Sequence, residues 1–459
     1  MTGKTSCGGG TGSQAMGRMT GRAVRYRPDR EGGMGDRGRI SPVQRRVRSL
    51  GLALLIALPL FFGSGGMSDR LPWGVGPVRG APAESFSQFL LRFEQVAVRR
   101  GVSASVYRSA MGGLVLDRSV SARISGQPEF TTPIWDYLAR RVSRARIRAG
   151  RAAFARNRAL FRRIGGRYGV DPYILAAIWG METDYGAVLG NRSLIRPILP
   201  SLAALVYANR SRREADEGEL ISALLLVQNG AAPDSLLGSW AGAMGHLQVN
   251  PSVVLKQGTD GDGDGRVDVH HSLADALATS AVLLNSFGYV SGLDWGFEVM
   301  LPAGFDYGLA GRENWHDIGF FADLGVRRVA GRPFQDRNVP VFLYLPAGRE
   351  GPKFLMTRNY LVLKAYNFSD SYALSVAHLT DRLKGSGPLV GQWPVDTKFP
   401  DRAQRHFIQR RLRELGYYQG EVDGRIGPLT QAAFRKFQQA RGLPADGFIT
   451  LDAVDLLAP

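Results

Sequence analysis

The stretch Val170-Asp171-Pro172-Tyr173-Ile174-Leu175-Ala176-Ala177-Ile178-Trp179-Gly180-Met181-Glu182-Thr183-Asp184-Tyr185-Gly186 decides how this chain is read. Asp171 suits an N-cap, whose side chain accepts from the first free amides. Pro172 suits the first helical position, where no N–H is missed. Gly186 predicts the stop. Between them the segment is apolar on nearly every face, which predicts a buried helix. One carboxylate, Glu182, sits near its end among Ile178, Trp179, Met181 and Tyr185. Burial disfavours the charged form of a carboxyl and raises its pKa. A carboxylic acid kept protonated near neutral pH can give its proton to a leaving group. The alternative is a helix-end Glu that faces water or caps a neighbour.

Outward from this helix the chain reads as mainly α. Apolar spacing predicts helix over residues 84–125, and over Tyr137–Arg167 with a break near Gly150. Further helices are predicted over 201–228 and 272–287, and Val339–Leu345 is the clearest of few strands. Residues 138–170 hold eleven Arg and no acidic residue, which reads as a solvated basic face. Near 385–401 the composition shifts to Gly385-Ser386-Gly387-Pro388, then Gly391, Pro394 and Pro400, the signature of a linker. The expected organisation is therefore a basic N-terminal segment over 1–83, a larger domain carrying Glu182 over 84–384, a linker over 385–401 and a small domain over 402–459.

The 459 residues are 44% hydrophobic and 21% charged, so a wholly disordered protein is excluded. A single cysteine, Cys7, excludes a disulfide scaffold and a thiolate zinc cluster. Lys and Arg number 58 against 40 Asp and Glu, a net +18, which points to an anionic partner. Residues 1–49 carry 11 basic and 3 acidic side chains, so +8 of that charge lies there. An apolar run, Leu50 to Phe62, follows Arg45, Arg46 and Arg48. Its 13 residues fall short of the ~20 that span a bilayer and fit a secretory h-region. Ala81-Pro82-Ala83 offers a cleavage site. Export to the periplasm is expected, with an uncleaved N-terminal anchor as the alternative. Nucleic acid then loses ground as a partner, and membrane contact is confined to the N-terminal segment.

Glycosidases ordinarily use two carboxylates, about 5–5.5 Å apart for retention or ~6.5–9.5 Å for inversion. Asp184 is two positions from Glu182, and such residues do not face each other on a helix. A single-carboxylate mechanism is therefore considered. The stretch Trp179-Gly180-Met181-Glu182-Thr183-Asp184-Tyr185-Gly186 resembles the catalytic signature of lytic murein transglycosylases of the membrane-bound B type. Gly238-Ser239-Trp240-Ala241-Gly242-Ala243-Met244-Gly245-His246-Leu247-Gln248-Val249-Asn250-Pro251-Ser252 resembles that family's S-x-A-G-A-M-G-x-x-Q-x-x-P-S segment. Arg358-Asn359-Tyr360 through Lys364-Ala365-Tyr366-Asn367 resembles its aromatic late segment. Gln127-Pro128-Glu129-Phe130 and Pro133-Ile134-Trp135 also look like the family, and the likeness runs in order over about residues 85–383.

The resemblance implies a lysozyme-like α catalytic domain with few strands. It implies cleavage of the β-1,4 bond between N-acetylmuramic acid and N-acetylglucosamine in peptidoglycan, with Glu182 as the single acid/base and a 1,6-anhydromuramyl product. No cofactor is required for such a reaction. The same resemblance implies that Ser239, Gln248, Tyr360, Tyr366 and Asn367 bind the sugar or Glu182, with ordinary core packing as the alternative for each Tyr. The Gly-Ala-Met-Gly run is expected to let backbone approach the substrate, or else to form a tight turn. One departure is Ala281-Val282-Leu283-Leu284, where the family pattern leads one to expect an aromatic.

A second motif lies in Asp260-Gly-Asp262-Gly-Asp264-Gly265-Arg266-Val267-Asp268, which matches the first nine positions of an EF-hand loop. Asp260, Asp262, Asp264 and Asp268 supply carboxylates and Arg266 a backbone carbonyl. Position 12 is His271, so Asp275 is the candidate to complete the set. This predicts a structural calcium ion, with a metal-free Asp/Gly turn as the alternative.

The C-terminal unit reads as three short helices, with Thr450 a candidate cap for the third. It carries a small repeat, Asp423-Gly424-Arg425-Ile426 and Asp446-Gly447-Phe448-Ile449. The run from Gln409-Arg410-Arg411-Leu412 through Gly427-Pro428 to Asp446-Gly447 resembles the type 1 peptidoglycan-binding domain. The expected partner is thus the peptidoglycan glycan strand, with no nucleic acid. A water-using muramidase and a non-catalytic wall-binding protein remain the competing readings.

Overall fold

The computed structural model describes residues 84–123, 132–208 and 212–458. The N-terminal segment, with its h-region and Cys7, and the Gln127–Phe130 motif lie outside the described residues.

The first predicted helical region consists of three helices, Phe86–Arg99, Ala104–Met111 and Arg118–Arg123. Ser85 and Gln88 close a capping box on the first, so the chain enters it with its leading amides satisfied. The second region is divided differently from the expectation, into Ile134–Arg141, Arg144–Arg156 and Arg158–Tyr168. Gly150 lies inside a helix. Its missing Cβ makes room for another side chain, since a Cβ there would stand 2.2 Å from the Tyr185 hydroxyl. The first break falls at Ser143, whose side chain caps the next helix, and the second at Asn157.

Of the eleven Arg in this stretch, all but Arg141 and Arg146 are exposed. Arg146 is buried. Its Nη1 donates to the Arg141 carbonyl at 2.8 Å, and its Nε pairs with Asp184 at 3.2 Å. These two arginines belong to the interior, while the others form the solvated face.

The Pro172–Thr183 helix runs through the main core and packs against Arg144–Arg156, Arg158–Tyr168, Leu273–Ser286 and Asp370–Lys384. Ala281, Leu283 and Leu284, the positions lacking the expected aromatic, are buried in that core.

A five-stranded antiparallel sheet inserts after residue 295. Its order is Trp315–Asp317, Pro340–Tyr344, Lys353–Met356, Gly296–Met300, Arg327–Arg328, with Leu343 opposite Leu355 and Phe297 opposite Leu355 across the next pair. Val299, Phe321, Val341, Leu343 and Leu355 give it a core of its own. The Gly/Pro-rich run after Lys384 is held down. Buried Glu298 accepts from the amides of Val390 (2.8 Å) and Gly391 (2.6 Å), and Trp393 and Phe399 pack on Trp135.

The C-terminal helices are Arg402–Glu414, Pro428–Ala440 and a single turn, Ala453–Leu456. Asp452, not Thr450, occupies the N-cap of the last, and Thr450 offers only its carbonyl, to Ala453 N–H. The Asp-Gly repeat has a structural basis. Gln409 accepts from Gly424 N–H at 2.7 Å and donates to Asp423 at 3.1 Å. Gln438 accepts from Gly447 N–H at 2.8 Å and donates to Asp446 at 3.0 Å. Each glycine has a positive φ (72° and 70°), which only glycine adopts freely.

Candidate active site

Asp171 accepts from Tyr173 N–H at 2.9 Å, and every residue from Ile174 to Thr183 is buried. The helix ends two residues earlier than Gly186 suggested. Asp184, Tyr185 and Gly186 all take left-handed φ values, 51°, 59° and 84°. Two non-glycine residues in that region cost of order 1 kcal/mol or more each and persist only where the surroundings fix them. The surroundings here are specific. Arg146 pairs with Asp184, and Arg141 donates to the Met181 carbonyl. The Thr183 hydroxyl donates to His246 O at 2.7 Å and accepts from Gly186 N–H at 3.2 Å. Tyr185 folds back beneath its own helix onto Gly180 and Gly150. A Cβ on Gly180 would lie 2.4 Å from the Tyr185 ring, so the two glycines serve this side chain.

The turn so built holds Glu182, which is only 3% exposed. The hydroxyl of Tyr372 donates to its Oε1 at 2.6 Å. The ring of Tyr366 lies parallel to that of Tyr372, centroids 6.4 Å apart. Burial pushes both phenols well above their ordinary range, and the charge of Glu182 pushes them further. Both therefore remain neutral donors beside the carboxyl.

The Gly238–Ser252 segment is pinned to this centre from two sides. Trp179 Nε1 donates to His246 Nδ1 at 3.0 Å, and Tyr366 OH donates to Leu247 O at 2.8 Å. The first bond requires a neutral imidazole, in keeping with burial lowering the His246 pKa to about 4. Ser239 is fully buried, and its hydroxyl makes no hydrogen bond among the described residues. Gln248, at φ 51°, donates to Gly245 O at 2.8 Å and leaves Oε1 unused. Asn367, also buried, leaves Nδ2 unused. Buried polar atoms are ordinarily paired; unused ones occur elsewhere too, at Ser201 Oγ and Gln257 Oε1, so what singles out these three is that they lie in segments pinned around one buried carboxyl.

Two expectations differ in detail. Tyr360 is fully buried, but its hydroxyl donates to Asp370 at 3.0 Å. In the Gly-Ala-Met-Gly run the close approach is made by the chain to itself. A Cβ at Gly245 would stand 2.0 Å from Val269 O, and one at Gly242 2.5 Å from Leu202. The run is a tight turn that seats Ser239 and Gln248.

In the aspartate-rich loop, Asp260, Asp262 and Asp264 bring carboxylate oxygens within 4.8 Å of one another. Asp260 also accepts from Gly263 and Gly265 N–H, which holds its carboxyl below the ordinary range. Asp268 turns to His271, its Oδ2 lying 2.8 Å from Nδ1. Buried Asp275 ties the loop by accepting from Gly261 and Asp268 N–H. Arg266 N–H donates to Asp264 at 2.8 Å.

A family model, the transglycosylase SLT domain, matches residues 85–381. The chain belongs to the SLT-domain transglycosylase family. Residues 401–457 match the peptidoglycan binding domain model. Membrane-bound lytic murein transglycosylase B of Escherichia coli K12 is 30% identical over 218 residues, covering 46% of this chain and 56% of that protein. The chain thus spans about half the length of the curated relative it matches. SltB3 from Pseudomonas aeruginosa, solved in complex with NAG-anhNAM-pentapeptide, is 40% identical with a TM-score of 0.75, covering 82% of this chain and 99% of that one. The E. coli lytic transglycosylase SLT35, solved in complex with calcium, shares the fold at 24% identity and a TM-score of 0.55, covering 64% of this chain and 92% of that one.

Within this SLT-domain fold, sequence reasoning missed Tyr372, Arg141 and Arg146. The only cue to Tyr372 is its place three residues after Ser369, the N-cap that accepts from its amide, in the first turn of a buried helix. The arginines were hidden in a run that looks uniformly solvated.

Proposed function

We propose that this protein cleaves the β-1,4 bond between N-acetylmuramic acid and N-acetylglucosamine in peptidoglycan by intramolecular transglycosylation. The buried Glu182, with Tyr372 on its Oε1, is the observation that carries the reading. Because Oε1 accepts from Tyr372, the acid proton resides on Oε2. Glu182 donates that proton to the glycosidic oxygen as the bond to the muramyl anomeric carbon breaks. The sugar's own N-acetyl group supports the cationic centre, as in substrate-assisted glycosidases. The resulting carboxylate takes the proton of the muramyl 6-hydroxyl, whose oxygen closes on the anomeric carbon. The product is a 1,6-anhydro sugar, no water is consumed, and Glu182 is protonated again. Ser239, Gln248 and Asn367 offer their unused atoms to the saccharide, and Tyr366 supports Tyr372. The likeness to SltB3, solved in complex with NAG-anhNAM-pentapeptide, supports this assignment.

On the same reading, residues 1–83 form a basic N-terminus and export signal, 84–384 the catalytic domain, 385–401 a linker and 402–459 a wall-binding module. The protein acts in the periplasm. A tethered module raises the effective concentration of the enzyme on an insoluble polymer. Asp260, Asp262 and Asp264 suit a structural calcium ion, which takes six to eight hard oxygens, with the Arg266 carbonyl among the candidates for the rest. Calcium is expected to raise Tm and EGTA to lower it. A Tm indifferent to both removes the site.

Digestion of purified sacculi tests the reaction. Anhydromuramyl ends are expected by mass spectrometry, and Glu182→Gln abolishes them. Reducing ends would mean a hydrolase, and unchanged release by Glu182→Gln would mean that this carboxyl is not the acid.

A further inference from the structure

A cluster of half-buried charge surrounds Asp370, the first residue of the helix that carries Tyr372. Its Oδ1 accepts from the Tyr360 hydroxyl at 3.0 Å and from the Arg312 guanidinium, and its Oδ2 accepts from Lys364 Nζ at 2.7 Å. Arg312 also lies over the Tyr344 ring, 5.8 Å from its centroid. Burial alone would push the Asp370 carboxyl up, but Arg312 and Lys364 outweigh it and hold it below the ordinary range, so it stays ionised.

The donors come from two other parts of the chain. Tyr360 and Lys364 stand one turn apart on the Arg358–Asn367 helix, and Arg312 comes from the loop before the strand Trp315–Asp317. Between the two helices the chain reverses through Phe368 at φ 55°, a strained conformation for a residue with a Cβ. The body of the second helix is packed against Pro172–Thr183 and Arg358–Asn367, and its first turn is fixed at Asp370, the residue that all three donors grip. Two positions later, in the same first turn, Tyr372 reaches Glu182 at 2.6 Å. A hydrogen bond this short tolerates little displacement of its donor.

We propose that Asp370 is a positioning residue of the reaction: clamped by Arg312, Lys364 and Tyr360, it sets where Tyr372 meets Glu182. Tyr360 then acts through Asp370 and does not touch the sugar. The inference rests on Glu182 being the acid.

The test uses the full chain and a short soluble glycan made from alternating N-acetylglucosamine and N-acetylmuramic acid. Asp370→Asn is expected to lower kcat about tenfold with KM within about twofold. A hydrogen-bond donor favours the charged form of a carboxyl, so loosening Tyr372 raises the Glu182 pKa. The basic limb of the pH profile of kcat/KM, where the acid loses its proton, therefore moves to higher pH. Tyr372→Phe should move it the same way. Tyr360→Phe should lower kcat and leave KM, whereas a sugar contact would raise KM. The decisive arm is the double variant. In the Tyr372→Phe background, Asp370→Asn should cost nothing further in kcat, because its route to Glu182 is already gone. Equal losses in both backgrounds, or an unmoved pH limb, overturn the proposal even if Asp370→Asn also lowers Tm. Glu182→Gln is run beside these. If it stays active, the reading of the acid fails. If it is dead while Asp370→Asn is fully active, only the positioning role fails.

Discussion

Gln409 in the C-terminal unit and Glu182 in the main core are both polar side chains buried on helices, and their surroundings differ in kind. Gln409 is fully buried, and both ends of its amide are occupied by Gly424 N–H, Asp423 and the Arg425 carbonyl. The same arrangement recurs at Gln438. Around Glu182, by contrast, the neighbouring segments keep valences open at Ser239 Oγ, Gln248 Oε1 and Asn367 Nδ2, and three successive residues sit at positive φ. A satisfied buried amide specifies a fold. A strained shell with unspent hydrogen bonds is the pattern expected of a site, where the rules that favour stability are relaxed.

That contrast predicts opposite profiles for substitution. Glu182→Gln is expected to carry the largest effect, a loss of about a thousandfold or more in turnover, in line with removal of general acid catalysis. Its Tm should hardly fall, since the amide oxygen still accepts from Tyr372. A large fall in Tm would make Glu182 a structural residue like Gln409. Next is Gln409→Leu, which strands the buried Gly424 N–H and takes the amide donor from Asp423, at a cost of about 2 kcal/mol. A unit this small has little stability to spare. The expected result is early unfolding of the C-terminal unit and loss of sacculus binding, while turnover of a short soluble glycan stays within about twofold. A drop in soluble turnover as deep as that of Glu182→Gln would erase the division between the two regions.

The same contrast explains what could be read from the sequence. The Pro172–Thr183 helix was legible because its signals are local: Asp171 and Pro172 at the start and an apolar surface all round. The Asp-Gly repeat was visible as a pattern, but its cause was not. Gln409 and Gln438 lie 15 and 9 residues from the glycines they hold. The sheet was read from one strand because three of the others are only two to four residues long and the fourth, Gly296–Met300, opens on a glycine and carries Glu298. At the site, Ser239 and Gln248 came from motif likeness. Tyr372 meets Glu182 across 190 positions and Arg146 meets Asp184 across 38. No periodicity or capping rule reaches so far. Tyr360 shows the converse: its motif was plain, but its hydroxyl is committed to Asp370.

The smallest effect is also the finest test of an open valence. Ser239 is buried, yet its hydroxyl makes no hydrogen bond among the described residues, so Ser239→Ala removes nothing the fold uses. Its stability change should lie within about 0.5 kcal/mol. If the hydroxyl meets the saccharide, its removal forfeits one neutral hydrogen bond, worth about 1 kcal/mol, or roughly fivefold in kcat/KM. Gln409→Leu should show the reverse pattern, with stability lost and soluble turnover kept. Thermal unfolding and soluble-glycan kinetics on the two variants therefore separate a spent valence from an unspent one. Should Ser239→Ala lose stability and keep its kcat/KM, Ser239 belongs with the interior, and the saccharide must be held by Gln248 and Asn367 instead.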